Sequence, residues 1–133
     1  MFRPDVINAG GDYEKNNSII EVEKDTSMEV LSADSAVGFY KVIGTSFSTP
    51  LTANTAAQIQ KKYPTIRAQT IKVLIINGAS LKNIQFDNDV KNLQSKIAGH
   101  GLVNPFGSLN SSDNEITFVI EDEIMPGKMK VFP

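Results

Sequence analysis

Ser46 is the residue of this chain best placed to do covalent chemistry. It lies in Gly44-Thr45-Ser46-Phe47-Ser48-Thr49-Pro50, a serine among small residues just ahead of a helix-compatible run. A serine hydroxyl attacks a carbonyl only when a base takes its proton and donors meet the oxyanion that forms. A helix N-terminus offers such donors, because its first N–H groups are unpaired and its dipole favours negative charge. Gly44 lets the chain turn sharply ahead of the serine. Pro50 removes the N–H that would bond the Ser46 carbonyl, a loss tolerated near a helix start. Ser and Thr ahead of a helix are also ordinary capping residues, so the short Gly-x-Ser alone does not separate catalysis from capping.

The remaining chemistry-bearing residues are sparse. His100 is the only histidine. Ser46, then Asp87 or Asp89, then His100 follows the chain order of α/β-hydrolases, but their elbow requires glycine where Ser48 stands. About fifty residues between serine and histidine also leave little room for intervening βα units. Asp5 reads as a turn or cap residue. Asp87, Asn88, Asp89 and Asn92 offer oxygen donors without a calcium-loop spacing. Glu121-Asp122-Glu123 reads as an exposed strand end that resists edge pairing.

The elements that must position Ser46 follow from periodicity and punctuation. Residues 2–10 read as a short strand ending at Gly10-Gly11. Residues 12–36 are polar and loop-like, with a brief strand over Ser18–Val22, and Val37–Ile43 reads as a further strand. Ser46–Tyr63 is helical, with Ala53, Ala56, Ala57 and Ile59 as its small and aliphatic residues and Pro64 as its stop. Thr65 is the expected N-cap of a second helix over Ile66–Asn77, with Gly78 as the left-handed residue beyond its end. Residues 83–96 read as a loop, and Gly99-His100-Gly101 as a tight turn. Ile116–Ile120 has strand composition, Met125-Pro126-Gly127-Lys128 is a turn, and Met129–Phe132 completes an expected hairpin.

Composition limits the function classes. Of the 133 residues 41% are hydrophobic and 21% charged, enough for a packed core. A net charge of −2, without a basic patch, gives no electrostatic case for nucleic acid or an anionic membrane. Cysteine is absent, which excludes disulfides, thiol catalysis and thiolate metal sites. No stretch approaches the roughly 20 apolar residues of a membrane span. The opening Met1-Phe2-Arg3-Pro4-Asp5 is not a signal peptide, and localisation is left open.

The phrase around Ser46 resembles the nucleophile segment of the subtilisin-like serine proteases, Gly-Thr-Ser-x-Ala/Ser-x-Pro. Three further stretches fall in the family's order. Arg3-Pro4-Asp5-Val6-Ile7-Asn8-Ala9-Gly10 is similar to its Pro-Asp-Val strand. Pro64 through Ser80, with Asn77-Gly78-Ala79, is similar to the following helix. Gly99-His100-Gly101-Leu102-Val103-Asn104 is similar to its Gly-x-Gly-x-Val-Asn turn. The chain departs at Leu51, Thr52 and Asn54, where the family has His, Val and Gly, and at Ala9, where it has proline.

The resemblance implies an α/β fold, with residues 1–110 as the C-terminal part of a parallel-sheet, three-layer catalytic domain. Residues 111–133 would then begin a β-rich extension. It implies a serine endopeptidase with Ser46 as acylating nucleophile, its own N–H as an oxyanion donor, and Gly44, Thr45 and Pro50 as supporting residues. The family's Asp and His precede its Pro-Asp-Val strand, so the resemblance implies that both lie before Met1 and that the 133-residue chain is inert alone. A catalytically dead relative or a binding domain is the alternative. The implied partners are a peptide or protein substrate, the upstream part of the domain and further copies of the chain. No cofactor is required; structural calcium occurs in the family, and no ligand set for it is visible.

Overall fold

The computed structural model describes residues 4–131, apart from Lys24 and Asn83. Residues 2–3 of the first expected strand and Phe132 of the last therefore lie outside the described residues. The architecture is mixed α/β, with helices packed together and two small antiparallel hairpins alongside them in the chain.

The first hairpin joins β1 (Tyr13–Asn16) to β2 (Ile19–Val22), with Tyr13 opposite Val22 and Asn16 opposite Ile19. That register leaves Asn17-Ser18 as a two-residue loop, and Asn17 takes the left-handed φ of 57° that such a turn requires. The second joins β3 (Met28–Leu31) to β4 (Phe39–Val42), with Leu31 opposite Phe39. Strands β2 and β4 match the sequence expectation. β1 and β3 fall where a polar loop was expected, because cross-strand pairing offsets the weak propensity of segments such as Tyr-Glu-Lys-Asn.

The core belongs to the helices. α1 runs from Thr45 to Lys62 and α2 from Ala68 to Gly78. A 3-10 turn at Lys91–Leu93 leads into α3 (Gln94–Ala98), and α4 spans Pro105–Leu109. Ile59 of α1, Leu74 and Ile75 of α2 and Val103 form the buried cluster, with Val6, Ala56, Ile66, Ile71 and Leu109 packed around it.

α1 buries Thr55 and Ile59, one turn apart, and leaves Ala53 and Ala57 exposed. Thr55 is tolerated inside because its hydroxyl donates to the Leu51 carbonyl at 3.2 Å. Thr49 likewise donates to Thr45 O at 3.0 Å, so hydroxyls along this helix are satisfied one turn back.

Two expectations about α2 are corrected. The helix begins at Ala68 with Arg67 as its N-cap, so Thr65 is not the cap. Gly78 is its last helical residue rather than a left-handed one beyond it. Its glycine serves close approach instead: a Cβ there would lie 2.5 Å from the Ser108 nitrogen of α4.

Both β-sheets among the described residues are antiparallel pairs. Parallel pairing survives as one bridge, Ile7 to Leu102, in which the Ile7 N–H donates to Gly101 O and the Val103 N–H to Ile7 O, both at 2.9 Å. Leu102 also bridges Ser80 in the antiparallel sense. Residues 83–96, expected as a loop, contain the 3-10 turn and the start of α3. The segment after residue 115 contains no assigned strand, although the Met125–Lys128 turn forms, with the Lys128 N–H donating to Met125 O at 3.1 Å and Gly127 at φ 79°. Isolated strand composition does not make a strand when no neighbour completes its ladder.

Candidate active site

Ser46 is the second residue of α1, and it is exposed. The helix starts there for reasons local to the sequence. Gly44 is the N-cap, at φ 150° and ψ 150°, and has no side chain with which to cap. Its N–H donates to Gly10 O at 2.7 Å, which ties the helix start to the segment carrying Ile7. The approach is tight on both sides. A Cβ on Gly10 would lie 3.1 Å from Gly44 O, and one on Gly11, at φ 83°, would lie 2.6 Å from the Ile43 Cγ2. Asn8 adds a second tie, donating from Nδ2 to the Thr52 hydroxyl at 3.0 Å.

The first turn presents a concentration of unpaired donors. The opening N–H groups of an α-helix have no intrahelical acceptor. The Phe47 N–H is taken by Gly44 O at 3.0 Å, and no hydrogen bond among the described residues takes the N–H of Thr45 or Ser46. No acidic side chain sits in this turn. Neighbouring hydroxyls are committed elsewhere: Ser48 donates to Thr45 O at 2.9 Å, as Thr49 does. The Ser46 hydroxyl makes no hydrogen bond among the described residues. Pro50 lies inside α1 and supplies no N–H to the Ser46 carbonyl. Gly44, Thr45, Ser46 and Pro50 are thus all brought to one helix end.

The acidic and imidazole groups are placed elsewhere. The exposed His100 sits between Gly99 at φ 60° and Gly101 at φ 110°, and its N–H donates to Asp5 O at 2.9 Å. A Cβ on Gly99 would lie 2.2 Å from Pro4 O, so this turn is built to press against residues 4–5. His100 is therefore anchored at Asp5, whereas the Ser46 helix start is anchored at Gly10. No hydrogen bond among the described residues joins His100 to Ser46. Asp5 pairs with Lys72 at 2.8 Å. Asp87 and Asp89 lie in an exposed turn closed by the Val90 N–H on Asp87 O, at 3.0 Å. The described residues hold no cluster of three or more acidic or imidazole groups suited to a metal ion, and none of their helices is long and apolar enough to cross a membrane.

Two structural residues were missed from sequence. Asn104 caps α4, its Oδ1 accepting from the Gly107 N–H at 3.2 Å, and Pro105 follows at the first helical position. The Asn-Pro pair was the available signal. Ser108 is buried, and its hydroxyl donates to Asn104 O at 2.9 Å.

The profile of the subtilase family, peptidase family S8, matches residues 1–108. A Sinorhizobium fredii protein named only as uncharacterised, y4bN, is 32% identical over 85 residues. The match takes in 61% of this chain and 20% of that protein, so the chain spans about a fifth of its length. No solved structure matches the chain.

Proposed function

The chain belongs to the subtilase family of serine proteases, and from that premise we propose that it carries the nucleophile of a serine endopeptidase. Ser46 Oγ attacks the carbonyl carbon of the scissile peptide while a base takes the hydroxyl proton. The N–H groups at the start of α1 receive the oxyanion. Collapse breaks the C–N bond, the base returns its proton to the leaving amine, and water then releases the acyl group from Ser46. The observation that carries this reading is the exposed Ser46 hydroxyl beside unpaired N–H groups at the start of an 18-residue helix.

On this reading the base is not His100, which follows Ser46 in the chain, whereas the family's histidine precedes its serine. We assign base and orienting carboxylate to a segment outside these 133 residues, within a parallel-sheet domain that residues 1–110 help to complete. The partners on this reading are a peptide or protein substrate and that further segment. In its absence the chain self-associates through the apolar surface that the segment would cover.

Fluorophosphonate labelling tests the proposal. In the longer protein the probe is expected on Ser46, and Ser46→Ala abolishes it. The 133-residue chain alone is expected to stay unlabelled. Stoichiometric labelling of the chain alone overturns the external base. An unlabelled longer protein overturns the protease reading and leaves a binding domain on the same fold.

A further inference from the structure

We infer that residues 116–123 form a detachable strap whose Glu121 carboxylate is the working N-cap of α2. This helix has no cap of its own. Arg67, at the N-cap position, makes no side-chain cap bond, and the first turn holds no acidic residue. Glu121 fills the gap from 54 residues downstream. Its Oε1 accepts the Arg67 backbone N–H at 2.9 Å. Glu123 Oε1 then meets the Arg67 Nη2 at 3.0 Å, so the same residue is held from two sides.

The strap lies along the helix with strand-like alternation. Thr117 is half-buried, between Ile116 at 72% and Phe118 at 84% exposure. Thr117 and Val119 line a shared groove with Thr70, Val73 and Leu74 of α2. What fastens the strap is side-chain chemistry. Among the described residues no backbone-to-backbone hydrogen bond reaches residues 116–124, and the Thr117 N–H goes to the Ser111 hydroxyl at 3.2 Å. Lifting it therefore breaks no ladder, and no strap residue is among those packed against the Ile59, Leu74, Ile75 and Val103 cluster, although Leu74 borders the groove. It frees the N-terminus of α2 and uncovers the groove that Thr117 and Val119 share with Thr70 and Leu74. This is a latch: closed it caps the helix, and open it leaves the Arg67 N–H without that acceptor.

Amide hydrogen exchange on the whole chain tests the latch. The amides to follow are Thr70 and Ile71, both bonded to Arg67 O. Glu121→Ala is expected to speed their exchange about fivefold, the usual consequence of losing one cap, with amides around Ile59 unchanged. Adding Arg67→Ser to Glu121→Ala supplies a local cap and should restore slow exchange. Unchanged rates at Thr70 and Ile71 in Glu121→Ala overturn the proposal. So does a uniform rise through α1 and α2, or a failure of the Arg67→Ser rescue.

Discussion

The helical unit and the two hairpins use the same composition to different ends. α1, α2 and α4 interlock around a shared cluster in which Ile59 is fully buried. The hairpins carry apolar residues of similar size, yet Ile19, Ile20, Leu31 and Phe39 are each more than half exposed. Each hairpin is held by its own cross-strand pairing. Two-stranded ribbons of this kind are marginal without a surface to cover them. Stability thus resides in the helices and the glycine turns that join them, the part of the molecule that also holds Ser46 at its edge.

A pair of substitutions should expose that contrast most clearly. Ile59→Ala removes a fully enclosed side chain and should cost about 2–5 kcal/mol. Ile20→Ala, on β2, should stay within about 0.5 kcal/mol. Urea denaturation followed by far-ultraviolet circular dichroism measures both. Similar losses at the two positions would mean that the hairpins are as integrated as the helices, and the comparison would fail.

A second pair sharpens the comparison through glycine. Gly78 has an ordinary φ but sits against α4, where a Cβ would lie 2.5 Å from a backbone nitrogen that cannot swing away. Gly38 has a φ of 73° and nothing within 4 Å of the added atom. Gly78→Ala should therefore destabilise by about 1–3 kcal/mol through overpacking. Gly38→Ala should cost about 1 kcal/mol, from the left-handed conformation alone. Thermal unfolding of the two variants ranks them; a larger loss at Gly38 would place the tighter constraint in the hairpins.

What the sequence disclosed divides along the same line. The motif around Ser46, the extent of α1, the Gly-x-Gly turn and the family were legible, because each depends on local spacing or on glycine and proline. The family phrases gave the order of residues 3–10 and 99–104 along the chain but not their contact, the Ile7–Leu102 bridge, because no local spacing encodes it. The start of α2 was misread at Thr65, because its cap comes from Glu121, which no local rule connects to Arg67. Which face of α1 turns inward was not legible, because a buried threonine with a satisfied hydroxyl looks polar in sequence. Gly78 looked like a helix-ending glycine, but its reason is a neighbour thirty residues away. The apolar alternation of 116–120 predicts a strand only if a partner strand is present, and none of the described residues provides one.

The smallest expected effect concerns the strap, which is intermediate between the two regions because charge rather than packing holds it. The carboxyl of Glu121 is held below its ordinary range, first by the Thr70 side chain and then by the Arg67 N–H; desolvation opposes them, and the Arg67 guanidinium adds the smallest lowering effect. Asp122 is lowered too, chiefly by its hydrogen bond with Lys130 and then by the Glu123 N–H. The groups around the pair are Arg67 and Thr70 at the start of α2, Glu123 of the strap, Lys130 beyond it, and Tyr63 across the groove. A carboxyl depressed in the folded state stabilises that state above its unfolded value, and the contribution fades as pH falls through the folded one. The strap should accordingly be fastened near neutrality and loosen from about pH 4 downward. The Ile59 cluster contains no titratable group, so its amides should hold through the same range. Proton NMR across an acid titration reads both: Thr117 and Val119 should shift with Glu121, and a strap that stays docked below pH 2 would show that packing, not these carboxylates, keeps it in place.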